Sequence, residues 1–190
     1  MRVLQSKTKY MKKILVLFGS PHTQGKTAEL LDVYLKQYVK NFHGDFKINE
    51  LFIYNQNIFP CIGCGCCIKS GVCSQNKKDD VGKIFDFILN SNHIVVASPV
   101  YFSGFPSPLK AMVDRSQQLY NKKIQNGKIK NLRRRTGALV ATCGSENKNG
   151  FTALEACCKQ FFDCVDAAFS ERLFASNTDS NNNQKIYTKI

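Results

Sequence analysis

The stretch Ile14-Leu-Val-Leu-Phe-Gly-Ser-Pro-His-Thr-Gln-Gly-Lys-Thr27 decides the fold. Ile14 to Phe18 are all apolar and partly β-branched, which reads as a strand covered on both faces. Gly19 to Thr27 is a link of small and hydroxyl residues. From Thr27 to Phe42 the residues Ala28, Leu31, Tyr34, Leu35, Tyr38 and Phe42 recur at helical spacing. Strand, short link and amphipathic helix make the first unit of an alternating α/β chain.

The alternation continues outward from this unit. Gly44 suits a helix end, and Phe46–Ile53 alternates as a second strand. Asn55–Asn76 is a turn-rich, cysteine-rich insertion without a period. Asp79–Asn90 predicts a helix, with Asp79 or Asp80 as its cap and Val81, Ile84, Phe85 and Ile88 as its apolar face. His93–Ala97 is a third buried strand, Pro99–Pro108 a loop, Leu109–Tyr120 a helix and Thr136–Thr142 a fourth strand. Phe151–Cys164 is a fourth helix, and Val165–Ala175 contains a fifth strand. The Asn- and Ser-rich tail from Ser176 onward predicts fraying. The whole is a doubly wound parallel sheet, in which ligands sit beyond the carboxyl ends of the strands. The informative segments are therefore Gly19–Thr27, Ser98–Pro108 and Cys143–Gly150.

The 190 residues fit one domain. The expected division is a dispensable extension over 1–10, since Met11-Lys-Lys precedes the first strand, a domain over 11–179, and a polar tail over 180–190. No run of about 18 apolar residues spans a bilayer, and the basic first ten residues lack the apolar region of a secretion signal. A cytoplasmic, membrane-free protein is expected. The net charge is +13. Lys122, Lys123, Lys128, Lys130, Arg133, Arg134 and Arg135 concentrate that charge without interleaved aromatics, so a solvated loop or a dock for an acidic redox partner is expected and nucleic acid is not.

Three anionic ligands compete for the first loop, where backbone N–H groups and a helix N-terminus gather. Ser20, Thr23 and Thr27 offer hydroxyls, Lys26 offers charge, and His22, Gln24 and Gly25 complete the turn. A nucleoside-triphosphate loop needs glycine four residues before Gly25-Lys-Thr27, counted between the two. Ser20 stands there, and Gly19 comes one residue early. A dinucleotide fingerprint needs three glycines that are missing. The third ligand is the terminal phosphate of FMN. In the second loop, Ser98-Pro-Val-Tyr-Phe-Ser-Gly104, Tyr101 and Phe102 can wall a planar ring. Pro99 stiffens the entry, Val100 and Ser103 extend the surface, and Gly104 permits close approach; a plain proline-rich turn is the alternative.

Nine cysteines are present, five of them between Cys61 and Cys73. Cys61, Cys64, Cys67 and Cys73 are spaced C-x2-C-x2-C-x5-C. The first three positions match the bacterial ferredoxin run, but the last gap is longer and the proline is missing. Cys66 is an additional thiol. An iron–sulfur centre, zinc on four thiolates and metal-free redox thiols all remain open. Cys157, Cys158 and Cys164 lie in an apolar helical stretch and read as structural.

Together these segments resemble the NADPH-dependent FMN reductase and iron-sulfur flavoprotein group of the flavodoxin-like superfamily. Gly19-Ser-Pro with Gly25-Lys-Thr27 is similar to its phosphate loop. Ser98-Pro-Val-Tyr-Phe with Leu109-Lys110 and Asp114-Arg115 is similar to its second flavin loop and following helix. Thr142-Cys-Gly-Ser145 falls at its third loop, bringing in Cys143 and Gly144. His22 stands where arginine is common, and Lys26 where asparagine is common. The resemblance implies a five-stranded sheet in the order 2-1-3-4-5 with a cysteine-rich insertion after strand two. It also implies FMN as cofactor, NAD(P)H as co-substrate, a [4Fe–4S] cluster on Cys61, Cys64, Cys67 and Cys73, and a homodimer or dimer of dimers. The flavin would be the reactive group, with no side chain required as acid or base. The function expected is an oxidoreductase passing electrons between FMN, the cluster and a small-molecule or protein acceptor, with ferredoxin as an alternative donor. A non-enzymatic flavodoxin-like carrier and a P-loop nucleotide hydrolase are the competing readings.

Overall fold

A computed structural model of the chain describes residues 11–42, 44–126, 135–146, 148–180 and 185–189. The expected extension over 1–10 and most of the basic segment, including Lys128, Lys130, Arg133 and Arg134, lie outside the described residues. The elements run β1 Lys12–Phe18, α1 Lys26–Lys40, β2 Phe46–Phe52, a 3-10 turn Ile53–Asn55, α2 Cys66–Ser70, α3 Val81–Leu89 and β3 His93–Pro99. They continue with α4 Ser107–Arg115, α5 Gln117–Gln125, β4 Arg135–Thr142, α6 Lys148–Cys164, β5 Ala167–Ser176 and β6 Lys185–Lys189. Among the described residues, no helix is long and apolar enough to cross a membrane.

The sheet order is β2-β1-β3-β4-β5-β6. The first five strands pair in parallel, and β6 adds an antiparallel edge to β5. The expected count of five strands is corrected to six: Lys185–Lys189, placed by the sequence in a polar tail, is a strand. Alternate residues of the buried strands feed two cores. Leu15, Leu17, Ile94, Val96 and Leu139 pack against α3, α4 and α6. Ile14, Val16, Phe18, Val95 and Val140 pack against α1 through Leu30, Leu31, Tyr34 and Leu35. Helices therefore cover both faces, and the apolar runs of β1 and β3 follow from that.

The helix expected over Leu109–Tyr120 is two helices that meet at Ser116. Arg115 ends α4, and the Ser116 N–H turns back to the Val113 carbonyl at 3.0 Å, a tightened bond that breaks the α-helical ladder. The Arg115 side chain just before the break is buried and meets Asp79. Arg135, read by sequence as part of the surface charge run, is buried instead. Its guanidinium donates to the Val165 carbonyl at 3.0 Å and the Leu89 carbonyl at 2.7 Å, tying the ends of α6 and α3 to the start of β4.

A buried polar chain crosses the amino end of the sheet. His93 Nδ1 lies 2.6 Å from Thr136 Oγ1, and its Nε2 lies 2.9 Å from the Tyr34 hydroxyl. Tyr34 donates its one proton to Glu171 Oε2 at 2.9 Å. His93 Nε2 must therefore supply the proton it shares with Tyr34, and Nδ1 accepts from Thr136. Tyr38 stacks on His93 with centroids 4.2 Å apart. Burial first, and Lys12 second, push the His93 pKa down from 6.5 to about 3. Burial and then Glu171 raise that of Tyr34.

Candidate functional site

The carboxyl ends of β1, β3 and β4 stand side by side, with Phe18 registered on Ala97 and Ala97 on Val140. The loops leaving them are joined to the next strand by backbone bonds. Gly19 N–H donates to the Ala97 carbonyl at 2.8 Å, Val100 N–H to that of Thr142 at 2.8 Å, and Cys143 N–H to that of Ala175 at 2.8 Å. The chain reverses its winding between β1 and β3, where doubly wound sheets open a ligand crevice. All three loops singled out from sequence thus converge there.

In the first loop, Gly19 is required by packing, because a Cβ on it would collide with the buried Leu109 side chain. The Ser20 hydroxyl accepts from the His22 N–H at 3.1 Å and shapes the turn. Gly25 N–H donates to the His22 carbonyl at 3.3 Å, and the Gly25 carbonyl accepts from Ala28 and Glu29 at 2.9 and 3.1 Å. No side chain caps α1, so the first N–H groups of this 15-residue helix face the loop with the positive end of its dipole. His22, Thr23, Gln24 and Lys26 are exposed around that end. Two of the expected donors also bond within the protein. Thr27 Oγ1 lies 2.8 Å from Thr142 Oγ1 in a buried bond that stitches α1 to β4. Lys26 Nζ pairs with Glu29 Oε2 at 3.0 Å at the exposed start of α1.

The second loop is a two-residue hairpin. Tyr101 N–H donates to the Gly104 carbonyl at 3.0 Å, and Gly104 N–H to that of Tyr101 at 2.9 Å. Phe102 and Ser103 both take left-handed backbone, φ 49° and 59°, a conformation that costs a non-glycine residue about 1–2 kcal/mol. Such strain concentrates at ligand clamps. It presents Tyr101 and a wholly exposed Phe102 beside the crevice. Gly104 does not adopt positive φ, and a Cβ there would make an ordinary 3.5 Å contact with the Tyr101 carbonyl. Tyr54, in the turn after β2, lies close enough for the charge of Tyr101 to raise its pKa, second to burial. The sequence offered no motif for it.

In the third loop, Cys143 is buried, its Sγ 3.8 Å from Ser145 Oγ. Its carbonyl accepts from Thr178 N–H at 3.1 Å and from the Thr178 hydroxyl at 3.2 Å. Gly144 lies under Asp179, whose carboxylate fills the space a Cβ would need. An open helix N-terminus, an aromatic hairpin and a small-residue loop fit the phosphate, ring and polar edge of FMN, respectively. A cleft of about 580 Å³ lies elsewhere. It is lined by Lys12, Tyr34, Tyr38, Phe42, Thr136 and Glu171, on the α1 side near the amino ends of the strands, and it contains none of the loop residues.

The cysteine segment runs from the turn after β2 to α3. Gly63, Gly65 and Gly71 take φ near +64°, +69° and +68°, which bends it around the short α2. Its two stems are fixed by a buried ion pair. Arg115 Nη1 donates to Asp79 Oδ2 at 2.6 Å and to the Phe59 carbonyl at 3.0 Å, while Nη2 reaches Asn76 Oδ1 at 3.0 Å. Asp79 also accepts from Phe59 N–H at 3.1 Å and Val81 N–H at 3.2 Å. Asp80 accepts from Asn57 N–H at 3.0 Å. Of the acidic pair expected to cap α3, Asp80 sits at the N-cap position without a side-chain capping bond and only Asp79 reaches a helix N–H; both close the segment.

Cys61, Cys64 and Cys66 are exposed, and Cys67 and Cys73 half-buried. Ser74 first, and then Cys66, hold the Cys64 thiol down to about 7, while Cys64 raises that of Cys66. The donor set matches a four-thiolate centre in kind and number. Among the described residues, no three Cys, His, Asp or Glu side chains surround one point, so the segment has to draw in to bind one. Among the three C-terminal cysteines, Cys158 is buried, and Cys157 and Cys164 are partly exposed.

The pattern of the NADPH-dependent FMN reductase family matches residues 12–180. The chain is 31% identical over 135 residues to an iron-sulfur flavoprotein of Methanosarcina thermophila, covering 71% of this chain and 65% of that protein. An iron-sulfur flavoprotein of Methanocaldococcus jannaschii is 29% identical over 143 residues, 75% of this chain and 68% of its own. Two others, from Archaeoglobus fulgidus and Clostridioides difficile, are matched over only 44% and 46% of their lengths. Among solved structures, an azoreductase from Bacillus anthracis superposes with a TM-score of 0.60 at 14% identity, covering 87% of each chain. An NADH:FMN oxidoreductase superposes with a TM-score of 0.56 at 17% identity, covering 88% of this chain and 76% of that one. These two likenesses concern the fold. The chain belongs to the NADPH-dependent FMN reductase family.

Proposed function

We propose that the protein is an FMN-dependent oxidoreductase that takes electrons from NAD(P)H and delivers them to an acceptor through an iron–sulfur centre. The observation that carries the flavin half is the uncapped N-terminus of α1, set beside the strained Tyr101 hairpin at the β1/β3 switch point. There the α1 N–H groups and the exposed Thr23 hydroxyl bind a phosphate dianion. Tyr101 and Tyr54 wall the ring and exclude water from one side. The Cys143-Gly144-Ser145 loop offers backbone to its polar edge, its path fixed by Thr178. FMN supplies exchange between two-electron and one-electron chemistry when bound.

The spacing of Cys61, Cys64, Cys67 and Cys73, and the name shared by the curated relatives, support a [4Fe–4S] centre held by these thiols, which would carry single electrons. Phe102, exposed at the hairpin tip, supports a second subunit or a protein partner closing over the crevice. Exposed Lys122, at the near end of the basic segment, suits an acidic donor such as ferredoxin.

Anaerobic stopped-flow mixing of the FMN-loaded protein with NADPH, and separately with NADH, tests the reading. Bleaching of the flavin absorbance within seconds supports the reductase. Flavin that neither nucleotide reduces, but reduced ferredoxin does, makes the protein a carrier instead. Iron and acid-labile sulfide in stoichiometric amount, measured on the same anaerobic material, test the cluster.

A further inference from the structure

Helix α5 presents three side-chain amides at positions i, i+3 and i+7, so Gln118, Asn121 and Gln125 share one face. All three bond to the cysteine segment. Gln118 Oε1 accepts from the Cys73 N–H at 3.4 Å and from Asn76 Nδ2 at 2.7 Å, and Gln118 Nε2 donates to Asn76 Oδ1 at 3.3 Å. Asn121 Nδ2 donates to Cys67 Sγ at 3.2 Å. Gln125 Nε2 donates to the Ile68 carbonyl. Neither the spacing of the cysteines nor the flavin crevice calls for these residues. An amide face on a surface helix gains little from hydrogen bonds with water, yet here each member is turned to the same thirteen-residue segment.

We propose that this face of α5 is the dock that positions Cys67 and Cys73 as ligands, with the Asn121 N–H held on the Cys67 sulfur to stabilise its negative charge. The inference rests on the reading that the segment holds an iron–sulfur centre. Cys67 and Cys73 are the half-buried pair and touch α5. Cys61 and Cys64 lie on the exposed side and move in to complete the set. Asn121 is a positioning residue, acting through Cys67. An N–H donor to a ligand sulfur favours the more negative oxidation state of a centre, as other ligand-shell hydrogen bonds do. Removing it lowers the reduction potential.

The test uses Asn121→Leu, which keeps the volume, and Asn121→Ala, which shortens the side chain; both remove the donor without adding charge. Wild type and variants are reconstituted anaerobically with iron and sulfide and titrated potentiometrically with detection by electron paramagnetic resonance. FMN affinity is measured in parallel. The expected result is unchanged FMN affinity and a cluster midpoint lowered by about 59 mV in the variants, the one-electron equivalent of a tenfold shift. A midpoint that does not move overturns the role of Asn121. The dock is tested separately in metal-free protein, by hydrogen exchange of residues 61–73 in a Gln118→Ala, Asn121→Ala, Gln125→Ala triple variant that still binds FMN. Exchange at least about tenfold faster, the loss of about 1.4 kcal/mol of protection, supports the dock, and unchanged exchange overturns it. Wild-type protein that takes up no iron or sulfide overturns the cluster reading and with it the role of Asn121, while the exchange result still decides the dock.

Discussion

Buried His93 makes the stability of the protein depend on pH with a predictable sign. Folded His93 has its pKa depressed from 6.5 to about 3, because burial, with Lys12 nearby, disfavours the imidazolium. In the unfolded chain the ring titrates near 6.5. Above that pH both states are neutral and His93 contributes no pH dependence. Below it the unfolded state takes up a proton that the folded state refuses, so stability falls as pH falls, down to about pH 3. Between about pH 7 and pH 5 the cost is RT ln[(1+10^1.5)/(1+10^−0.5)], about 1.9 kcal/mol. The groups packed on the ring are Tyr34, Tyr38, Thr136 and Lys12, with Glu171 beyond Tyr34. All of them remain in a His93→Gln variant, so their own titrations cancel in the comparison. Urea unfolding of flavin-free wild type and variant at both pH values gives the difference directly. Wild type should lose about 2 kcal/mol more than the variant on acidification. Equal losses would refute the assignment of His93 as a neutral, buried ring.

Gly19→Ala places a Cβ against buried Leu109 and should destabilise the fold by about 1–3 kcal/mol, read by thermal unfolding; an unchanged melting temperature would contradict the packing. Arg115→Met leaves the Asp79 carboxylate buried without its partner and should cost about 3–5 kcal/mol, with part of the loss recovered in the Arg115→Met, Asp79→Asn double variant. Replacing Phe102-Ser103 by Asn-Gly removes left-handed strain and should raise stability by about 1–2 kcal/mol, as urea unfolding would show, while weakening whatever docks on the hairpin tip.

Particular residues explain what was readable in the sequence. The runs Ile14–Phe18 and His93–Ala97 are visible because a parallel strand buried on both faces cannot hide its composition. The three loops are visible because the carboxyl ends of such strands are fixed by topology. β6 was missed because Lys-Ile-Tyr-Thr-Lys over 185–189 is an edge strand beside one partner, and carries no run long enough to separate it from a polar tail. The Arg115–Asp79 pair joins residues 36 positions apart in sequence, which no local pattern records. Thr27 is legible as a loop hydroxyl, but its bond to strand β4 is not. Its partner, Thr142, is supplied by a strand 115 positions later. Tyr54 and Asn121 were missed for the same reason: each acts on a segment brought to it by the fold.

The claim on which the account turns is that the start of α1 holds the phosphate of FMN, and titration of flavin-free protein with FMN and with riboflavin tests it most directly. Two charge-assisted N–H bonds at about 1.5–3 kcal/mol each predict that riboflavin, lacking the phosphate, binds at least about 100-fold more weakly. Saturable FMN binding at micromolar or lower concentration with that preference is the predicted result. No retained FMN, or equal affinity for the two flavins, would contradict it.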